Sequence, residues 1–573
     1  MQSVDYTTLT AISVDLQTHW LPARVEQVYQ RDRYTIAIAL RTLKTRGWLT
    51  VSWHPQAARI CIGDPPPKIP DTFTFSDQLR HQLNGYALIA LNSVAPWERV
   101  INFQFAKRPG DPAVWHLFVE IMGKYSNVIL TDAHHQIVTV AHQVTANQSS
   151  VRTVQTGQPY ELPPTLTGTK PSLEESQTRW QERVSLVPGK LQRQLLNSYR
   201  GLSPTVARSM ITMSGLDPQQ LTESLSDSDW KTLFSYWQEW LKNLETHNFN
   251  PGWTTDGGYT VLGWELKDSV ETVQTLINRY YSDEINQERF GQLRHQLTQK
   301  ISNVLGKLRV KAEGFTQRLQ QSEEADRYRQ QADLLMANLH HWKAGMTSIT
   351  LNDFATDEPV SIALNPEKNG VQNAQTLYKQ HQKLKRARSA VEPLLKDVLS
   401  EIEYLEQVEA SLNQIERYNH PEDLQTLEEI REELIEENYL SDPQQRTSPS
   451  KDEFHPYRYS TPSGFEVWIG RNNRQNDQLT FKVATDYDIW FHTQEIAGSH
   501  VLLRLEPGSV PDEADLQTAA NWAAYYSRAR QSEQVAVVYT EPKYVYKPKG
   551  AKPGMVVYKR EKILWGYPHN LPG

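Results

Sequence analysis

The chain has 573 residues, 38% of them hydrophobic, a mean hydropathy of −0.61, a formal net charge of −7 and one cysteine, Cys61. That length exceeds one ordinary core, and so polar a composition fits several domains with long two-faced helices rather than a single compact enzyme. A lone thiol excludes an intramolecular disulfide and a Cys-based zinc cluster, no eighteen apolar residues run together, and residues 1–20 lack the basic and apolar stretches of a signal peptide, so a cytoplasmic location away from any membrane is expected.

Residues 1–165 are expected to form a mixed α and β domain. The runs Tyr34 to Leu40, Gly47 to Trp53, Val100 to Phe105 and Ser126 to Leu130 are β-branched and aromatic and end in turn or charged residues, which predicts hairpins and a sheet. Asp64-Pro65-Pro66-Pro67 interrupts regular structure, and Pro163-Pro164 with the Thr, Gly, Lys and Pro beyond it marks a linker. Residues 175–248 read as helical, with Leu191, Leu195, Leu196 and Tyr199 on one stripe. A break at Gly201-Leu202-Ser203-Pro204 offers Ser203 as an N-cap and Pro204 at the favoured first position of a new helix, and Ser214-Gly215-Leu216-Asp217 breaks the pattern again. This is the outline of a helix-hairpin-helix, and equally of any small helical bundle.

From 270 to 440 an antiparallel coiled coil is expected. Its first helix, to about 339, carries a seam at Leu293, Leu297, Ile301, Val304, Leu308, Ala312, Phe315 and Leu319, about 3.7 residues per turn, so the arm should be nearly straight or slightly right-handed. A second helix from about 372 to 418 carries Val391, Val398, Leu405 and Leu412 at intervals of seven, with Leu395, Ile402 and Ile415 beside them. Thr347 to Leu351 and Val360 to Leu364, within 346–370, read as a small hairpin at the tip. At 1.5 Å per residue the arm should extend roughly 70 to 100 Å. Residues 396–442 hold fifteen acids against three bases, so the rest of the chain is slightly positive. The acidic run Glu428 to Glu437 reads as a solvated helix face, and Ser441 to Ser450 as a linker to a last domain at 451–573.

That last domain is the richest in chemistry. Arg471-Asn472-Asn473-Arg474-Gln475-Asn476-Asp477 leads to Trp490-Phe491-His492 and Gly498-Ser499-His500, and the run closes on the basic strip from Lys543 to Lys562. Short β-segments joined by turns rich in Asn, Arg, Lys and Gly suit RNA: cations reach phosphates, aromatic planes stack on bases, and amides read edges and 2′-hydroxyls. The residues singled out are Arg471, Asn472, Asn473, Asn476, Trp490, His492, His500, Lys543, Tyr544, Lys547, Lys549 and Lys552. Lys383, Lys385 and Arg386 form a basic patch on the coiled coil, where a plainly solvated helix face is the alternative. Trp97-Glu98-Arg99 precedes a strand and places an acid and a guanidinium where a phosphate or ribose could be held, or where a surface ion pair sits.

Catalytic constellations are not evident. His134-His135, His340-His341 and the pair His492 and His500 lack an acid at ligand spacing, so no metal is expected. Gly498-Ser499-His500 is no nucleophile elbow, and there is no Walker loop or dinucleotide fingerprint. No cofactor and no enzymatic activity are expected.

The chain resembles the NFACT family over nearly its whole length. The resemblance is carried by Arg24-Val25-Glu26-Gln27-Val28-Tyr29-Gln30, His54-Pro55-Gln56-Ala57-Ala58-Arg59-Ile60, Glu120-Ile121-Met122-Gly123-Lys124-Tyr125-Ser126-Asn127-Val128-Ile129-Leu130, Asn373-Ala374-Gln375, Lys383-Leu384-Lys385 and the C-terminal run quoted above. It implies a multidomain α+β chain: a glycosylase-like N-terminal sheet domain at 1–165, a helix-hairpin-helix domain at 175–248, the coiled coil at 270–440 and an RNA-binding domain at 451–573. It further implies a ribosome rescue factor that binds the large ribosomal subunit obstructed by peptidyl-tRNA and recruits tRNA, alanyl-tRNA in bacterial relatives, to extend the stalled peptide without mRNA. Peptide bonds are then made by the ribosome, and the protein supplies positioning.

The family residues required for tailing match Asp5, Glu98 and Arg99, with Glu98 standing where Asp is usual. Glycosylases of this layout use an N-terminal proline amine, and Gln2 occupies that place, so base excision and a DNA partner are not expected. The rival reading is a surface adhesin for fibronectin, a label some family members carry, which the absence of a signal peptide and wall anchor disfavours.

Overall fold

The computed structural model describes residues 1–66, 70–165, 167–441 and 454–571. Its chain divides into two compact units, Met1–Ile285 and Asn286–Gly573.

The first unit opens with α1 (Tyr6–Trp20) and continues with β1 (Ala23–Asp32), β2 (Thr35–Arg41), β3 (Arg46–Ser52), β4 (Arg59–Gly63), α2 (Thr74–Leu83), β5 (Ala87–Ser93), β6 (Val100–Ala106), β7 (Trp115–Glu120), β8 (Asn127–Asp132) and β9 (Ile137–Val140). The strands form one nine-stranded sheet in the order β4-β3-β2-β1-β5-β6-β7-β8-β9, with antiparallel neighbours throughout. The four strand runs expected from β-branched and aromatic content are β2, β3, β6 and β8 to within a residue or two. Local chemistry makes the turns: the Asp32 carboxylate accepts the Tyr34 amide at 2.7 Å between β1 and β2. Alternation sends Ile101, Phe103 and Phe105 of β6 to one core with Leu9, Ile12 and Leu16 of α1, while Val100 joins Phe118 and Ile129 in a separate core. Each such fully buried side chain stabilises the fold by about 1.5–3 kcal/mol.

Helices α3 (Gln177–Ser185), α4 (Leu191–Ser198), α5 (Pro204–Met213) and α6 (Asp227–Thr246) follow. Ser203 caps α5 through the Val206 amide with Pro204 in the first turn, and Ser226 caps α6 in a reciprocal capping box with Asp229. Trp180, Leu191, Leu195, Tyr199, Trp237 and Trp240 fill the core between them. The small sheet β10 (Gly252–Thr254), β11 (Tyr259–Thr260) and β12 (Leu266–Ser269) was not expected, because its strands are two to four residues long and carry no alternation to read. The first turns of α7 (Val273–Glu323) close this unit, with Leu276, Ile277, Tyr280 and Tyr281 in the sheet core.

In the second unit α7 gives way to α8 (Ala325–Ala337), the hairpin β13 (Ser348–Asn352) and β14 (Pro359–Ala363), and then α9 (Gly370–Gln414) and α10 (Pro421–Glu436). The single first arm expected to residue 339 is therefore two helices, interrupted at Glu324. α9 starts at an Asn369 capping box with Gln372 and tolerates Pro393 in its interior. Its antiparallel pairing with α7 and α8 is fixed by Arg294 Nε donating to the Ile415 carbonyl at 2.9 Å, Arg309 pairing with Glu406 at 2.7 Å, and His381 Nδ1 lying 2.9 Å from the Ala325 carbonyl. Leu305 is buried in the seam where Val304 was expected, and Val304 is only partly covered.

The chain ends with β15 (Tyr457–Ser460), β16 (Glu466–Ile469), α11 (Asn473–Gln478), β17 (Ile489–Thr493), β18 (Val501–Leu503), α12 (Glu513–Tyr525), β19 (Val535–Thr540), β20 (Val545–Tyr546), β21 (Val557–Tyr558) and β22 (Lys562–Gly566). Six of these strands form a sheet in the order β15-β16-β18-β17-β19-β22. One face packs on the alanines of α12, and the other buries Trp490, Leu502 and Val538 beneath Leu479 and Val545. The expected linker, from residue 442 on, lies outside the described residues.

Candidate nucleic-acid interfaces

The sequence brackets a cluster in the first unit, and the structure brings it together. Asp5 ends an extended segment and caps α1, its Oδ1 accepting the Thr8 amide at 2.8 Å. Its Oδ2 accepts the Ser203 hydroxyl at 2.6 Å, so the residue that caps α1 is joined to the one that caps α5. Glu98 and Arg99 sit in the turn between β5 and β6. Trp97 enters that turn in the left-handed region, φ 69°, a strained state for a bulky side chain. Its ring lies 4.8 Å from Tyr6 and 5.5 Å from Trp240, and Gly201 leaves room for it, since a Cβ there would meet Trp97 Cε3 at 2.6 Å. Asp5 and Glu98 are buried and Arg99 is half-buried. Burial draws the Arg99 guanidinium below its ordinary pKa, and the charges of Asp5 and Glu98 oppose that effect. The result is a partly desolvated cation flanked by two carboxylates at a sheet margin.

A second polar group adjoins it through the Ile121 amide, which donates to the Arg99 carbonyl at 2.9 Å. Glu120, 1% exposed, receives Arg152 Nη2 on both oxygens at 2.9 and 2.7 Å and the Tyr160 hydroxyl at 2.9 Å. Burial and the Glu120 charge raise the pKa of Tyr160, so its hydroxyl stays a donor. Glu120, Lys124, Tyr125 and Arg152 border a hollow of about 690 Å³, with the Tyr125 ring exposed and Lys124 Nζ 5.0 Å from its centroid. The motif reading contained Glu120 and Lys124, but Arg152 and Tyr160 reach the site from beyond β9 and carry no local signal. Gln2 is held by Tyr280, Tyr259 and Tyr281 through its amides and carbonyl.

The second unit corrects two expectations. The acidic run is not a solvated face: Glu429 and Glu433 of α10 are 5% and 1% exposed. Spaced four apart on one helical face, they meet the N-cap and first turn of α11. Asn472 donates to Glu429 at 2.6 Å, Gln475 donates to Glu429 at 2.9 Å, and Asn473 donates to Glu433 at 3.0 Å. Arg471 pairs with Asp423 at 3.1 Å and lies 4.0 Å over the Tyr457 ring, while Arg474 reaches Glu436 at 2.7 Å.

Asn472 and Asn473, expected to face RNA, therefore face α10, Asn476 Oδ1 accepts the His500 amide at 3.0 Å, and all three are 2% exposed or less. Removing donors of this kind from water requires acceptors, and the carboxylates supply them. Trp490, His492 and His500 are buried too, contrary to a stacking or phosphate-binding placement. Burial pushes the two imidazoles down to about 4 and about 3, so both are neutral at pH 7. His500 Nδ1 lies 2.7 Å from the Thr480 hydroxyl, which also accepts Trp490 Nε1 at 3.1 Å.

The basic strip divides differently. Lys543, Lys547 and Lys549 are exposed and Tyr544 is half-buried, with Lys543 paired to Glu541 and Lys547 to Asp477. Lys552 turns inward between the Tyr404 and Tyr439 rings, 4.5 Å from each. Lys383, Lys385 and Arg386 are exposed on α9 and form no ion pair among the described residues. Among the described residues no three His, Cys, Asp or Glu side chains converge as metal ligands, and no helix is long and apolar enough to cross a membrane.

Comparison with known proteins divides the chain later than its compact units do, between residues 453 and 454. A family model described as NFACT N-terminal and middle domains matches residues 5–453, and one described as NFACT protein RNA binding domain matches residues 454–560. The chain is similar to the Rqc2 homolog RqcH of Bacillus subtilis (strain 168), 32% identical across 97% of this chain and 96% of that protein. It is also similar to the Rqc2 homolog RqcH of Streptococcus suis (strain 05ZYH33), 30% identical across 96% of each. Among solved structures, the C-terminal part of the fibronectin/fibrinogen-binding protein from Streptococcus suis is 33% identical, covering 49% of this chain and 96% of that one with a TM-score of 0.38.

Proposed function

The chain belongs to the NFACT family, and on that premise we propose that it is a ribosome quality control factor. It acts in the cytoplasm on large ribosomal subunits that still carry peptidyl-tRNA, and it holds an incoming tRNA, alanyl-tRNA by family resemblance, so that the stalled chain gains a C-terminal tail without mRNA. The ribosome forms the peptide bonds, and this protein supplies proximity and orientation. Labour is divided among a sheet domain at 1–165, a helical domain at 175–248, a coiled coil at 270–440 with its tip at 346–370, and an RNA-binding domain at 451–573.

The observation that carries this reading is the convergence of Asp5, Glu98 and Arg99. A half-buried guanidinium fork oriented by two acids suits a phosphate or ribose edge better than a free surface arginine does. Glu98 is one methylene longer than the usual Asp, and the left-handed Trp97 before it sets where that longer acid reaches. Lys383, Lys385 and Arg386 of α9, with Lys543, Lys547 and Lys549, supply sequence-independent contacts to RNA phosphates. Asn472, Asn473, Asn476, Trp490, His492 and His500 serve from beneath, as the scaffold that shapes that surface.

The test is the double variant Glu98→Ala with Arg99→Ala. It should keep the fold and still sediment with large subunits, yet leave a stalled reporter protein untailed. Tails of normal length and abundance would remove these two residues from the mechanism.

A further inference from the structure

We propose that the outer strand β22 carries a stacking platform for an unpaired stretch of RNA, centred on Trp565 and Ile563; the inference deepens the reading above and rests on it. In the register of β19 with β22, Ile563 stands opposite Val538 and Trp565 opposite Ala536. Alternation therefore puts both side chains on the sheet face that buries Trp490 and Leu502. The inner part of that face is roofed by Val545 and Tyr558 of the β20–β21 hairpin. At its outer end Ile563 is 53% and Trp565 52% exposed. An uncovered indole beside an aliphatic side chain on an edge strand is an association hazard unless something binds there.

Cations frame this apolar plate. Arg560 takes a left-handed conformation, φ 55°, that turns the chain from β21 into β22 and gathers Lys559 and Arg560 at the strand's start, while Lys562, opposite Tyr539, belongs to the other face of the sheet. Both Lys559 and Arg560 lie against a tyrosine: Lys559 is 5.7 Å from the Tyr546 ring and Arg560 4.7 Å from Tyr544. Flat apolar rings with cations beside them are what a single strand needs, since bases stack while the phosphates between them are neutralised.

Two other occupants fit less well. A peptide adding itself as a further strand needs the free main chain of β22, but Gln517 already donates to the Trp565 carbonyl at 2.7 Å. A second copy docked through the same face would bring two sets of Lys559 and Arg560 together, with Glu561 alone beside them to offset the repulsion.

The experiment uses the full chain and two fluorescent probes, a 12-nucleotide oligouridine and a 12-base-pair RNA duplex, titrated at several salt concentrations. Trp565→Leu keeps an apolar side chain at the edge and so keeps the fold. It should weaken oligouridine binding about 5- to 150-fold, the loss of a base stacked on an aromatic ring. Its salt dependence should not change, and duplex binding should be unaffected. Trp565→Phe should restore most of the affinity. Lys559→Ala with Arg560→Ala should instead flatten the salt dependence for oligouridine, lowering the log–log slope by about 1.4.

Wild-type affinity in Trp565→Leu would overturn the platform while leaving the family reading intact. A self-associating wild type that becomes monomeric in Trp565→Leu would overturn it in favour of a protein contact. A wild-type chain with no salt-sensitive affinity for either probe or for large ribosomal subunits would fail the broader reading as well.

Discussion

Glu433→Gln should make the junction between α10 and α11 less sensitive to pH. Glu433 is fully buried, and its Oε1 accepts the Tyr404 hydroxyl at 2.8 Å and Asn473 Nδ2 at 3.0 Å. Burial pushes its carboxyl from 4.5 up to about 7, with Asp477 adding to the rise and Tyr404, Asn473 and Arg474 opposing it. The native carboxyl thus retains a proton that the unfolded chain has released between those two values. Stability from this group is fully present below about pH 4.5 and is lost as pH rises through about 7. The whole difference corresponds to roughly 3 kcal/mol. Glutamine keeps the accepting oxygen, is neutral at every pH and resembles the protonated acid. Hydrogen exchange of the α10 and α11 amides, corrected for intrinsic rates, reads the local opening free energy directly. Between pH 5 and 8 the wild type should lose most of that 3 kcal/mol relative to the variant. An opening free energy whose difference from the variant stays flat, or moves the other way, refutes the argument that desolvation governs this carboxyl.

Further outcomes follow from other sites. Asn472→Ala removes the cap of α11 and leaves Glu429 short of a donor, so the second unit should lose about 2–3 kcal/mol, visible in its urea midpoint. Arg152→Ala leaves the Glu120 carboxylate buried without its cation and should cost about 3–5 kcal/mol in the first unit, measured by thermal unfolding. Gly201→Ala places a methyl 2.6 Å from Trp97 at a φ of +79°, so it should destabilise by more than about 1 kcal/mol and reduce tailing by displacing the Glu98–Arg99 turn. Unchanged tailing together with an unchanged melting temperature would show that the turn tolerates the shift.

Much of the architecture was legible because its signals are local. Ser203 and Pro204 announce α5, the β-branched runs announce β2, β3, β6 and β8, and the seven-residue spacing of Val398, Leu405 and Leu412 announces the α9 seam. What sequence did not yield are pairings over distance. Glu429 and Asn472 look separately like a solvated acid and an RNA-reading amide, and their roles appear only when 43 residues of separation close into a 2.6 Å hydrogen bond. The same holds for Arg152 with Glu120, and for the turn at Trp97, whose left-handed φ no propensity would assign to tryptophan. In the candidate tRNA site the three expected residues do meet. In the last domain, burial separates the scaffold from the surface in a way that composition does not.

The double duty of the Asp5 carboxylate has a practical corollary for mutagenesis. Because one oxygen anchors the start of α1 and the other grips the hydroxyl that anchors α5, an alanine there would loosen two helices at once, and inactivity in such a variant would say as much about scaffolding as about substrate. Asparagine, which retains an acceptor oxygen but discards the charge, is the replacement that interrogates electrostatics at that corner while leaving the carpentry standing.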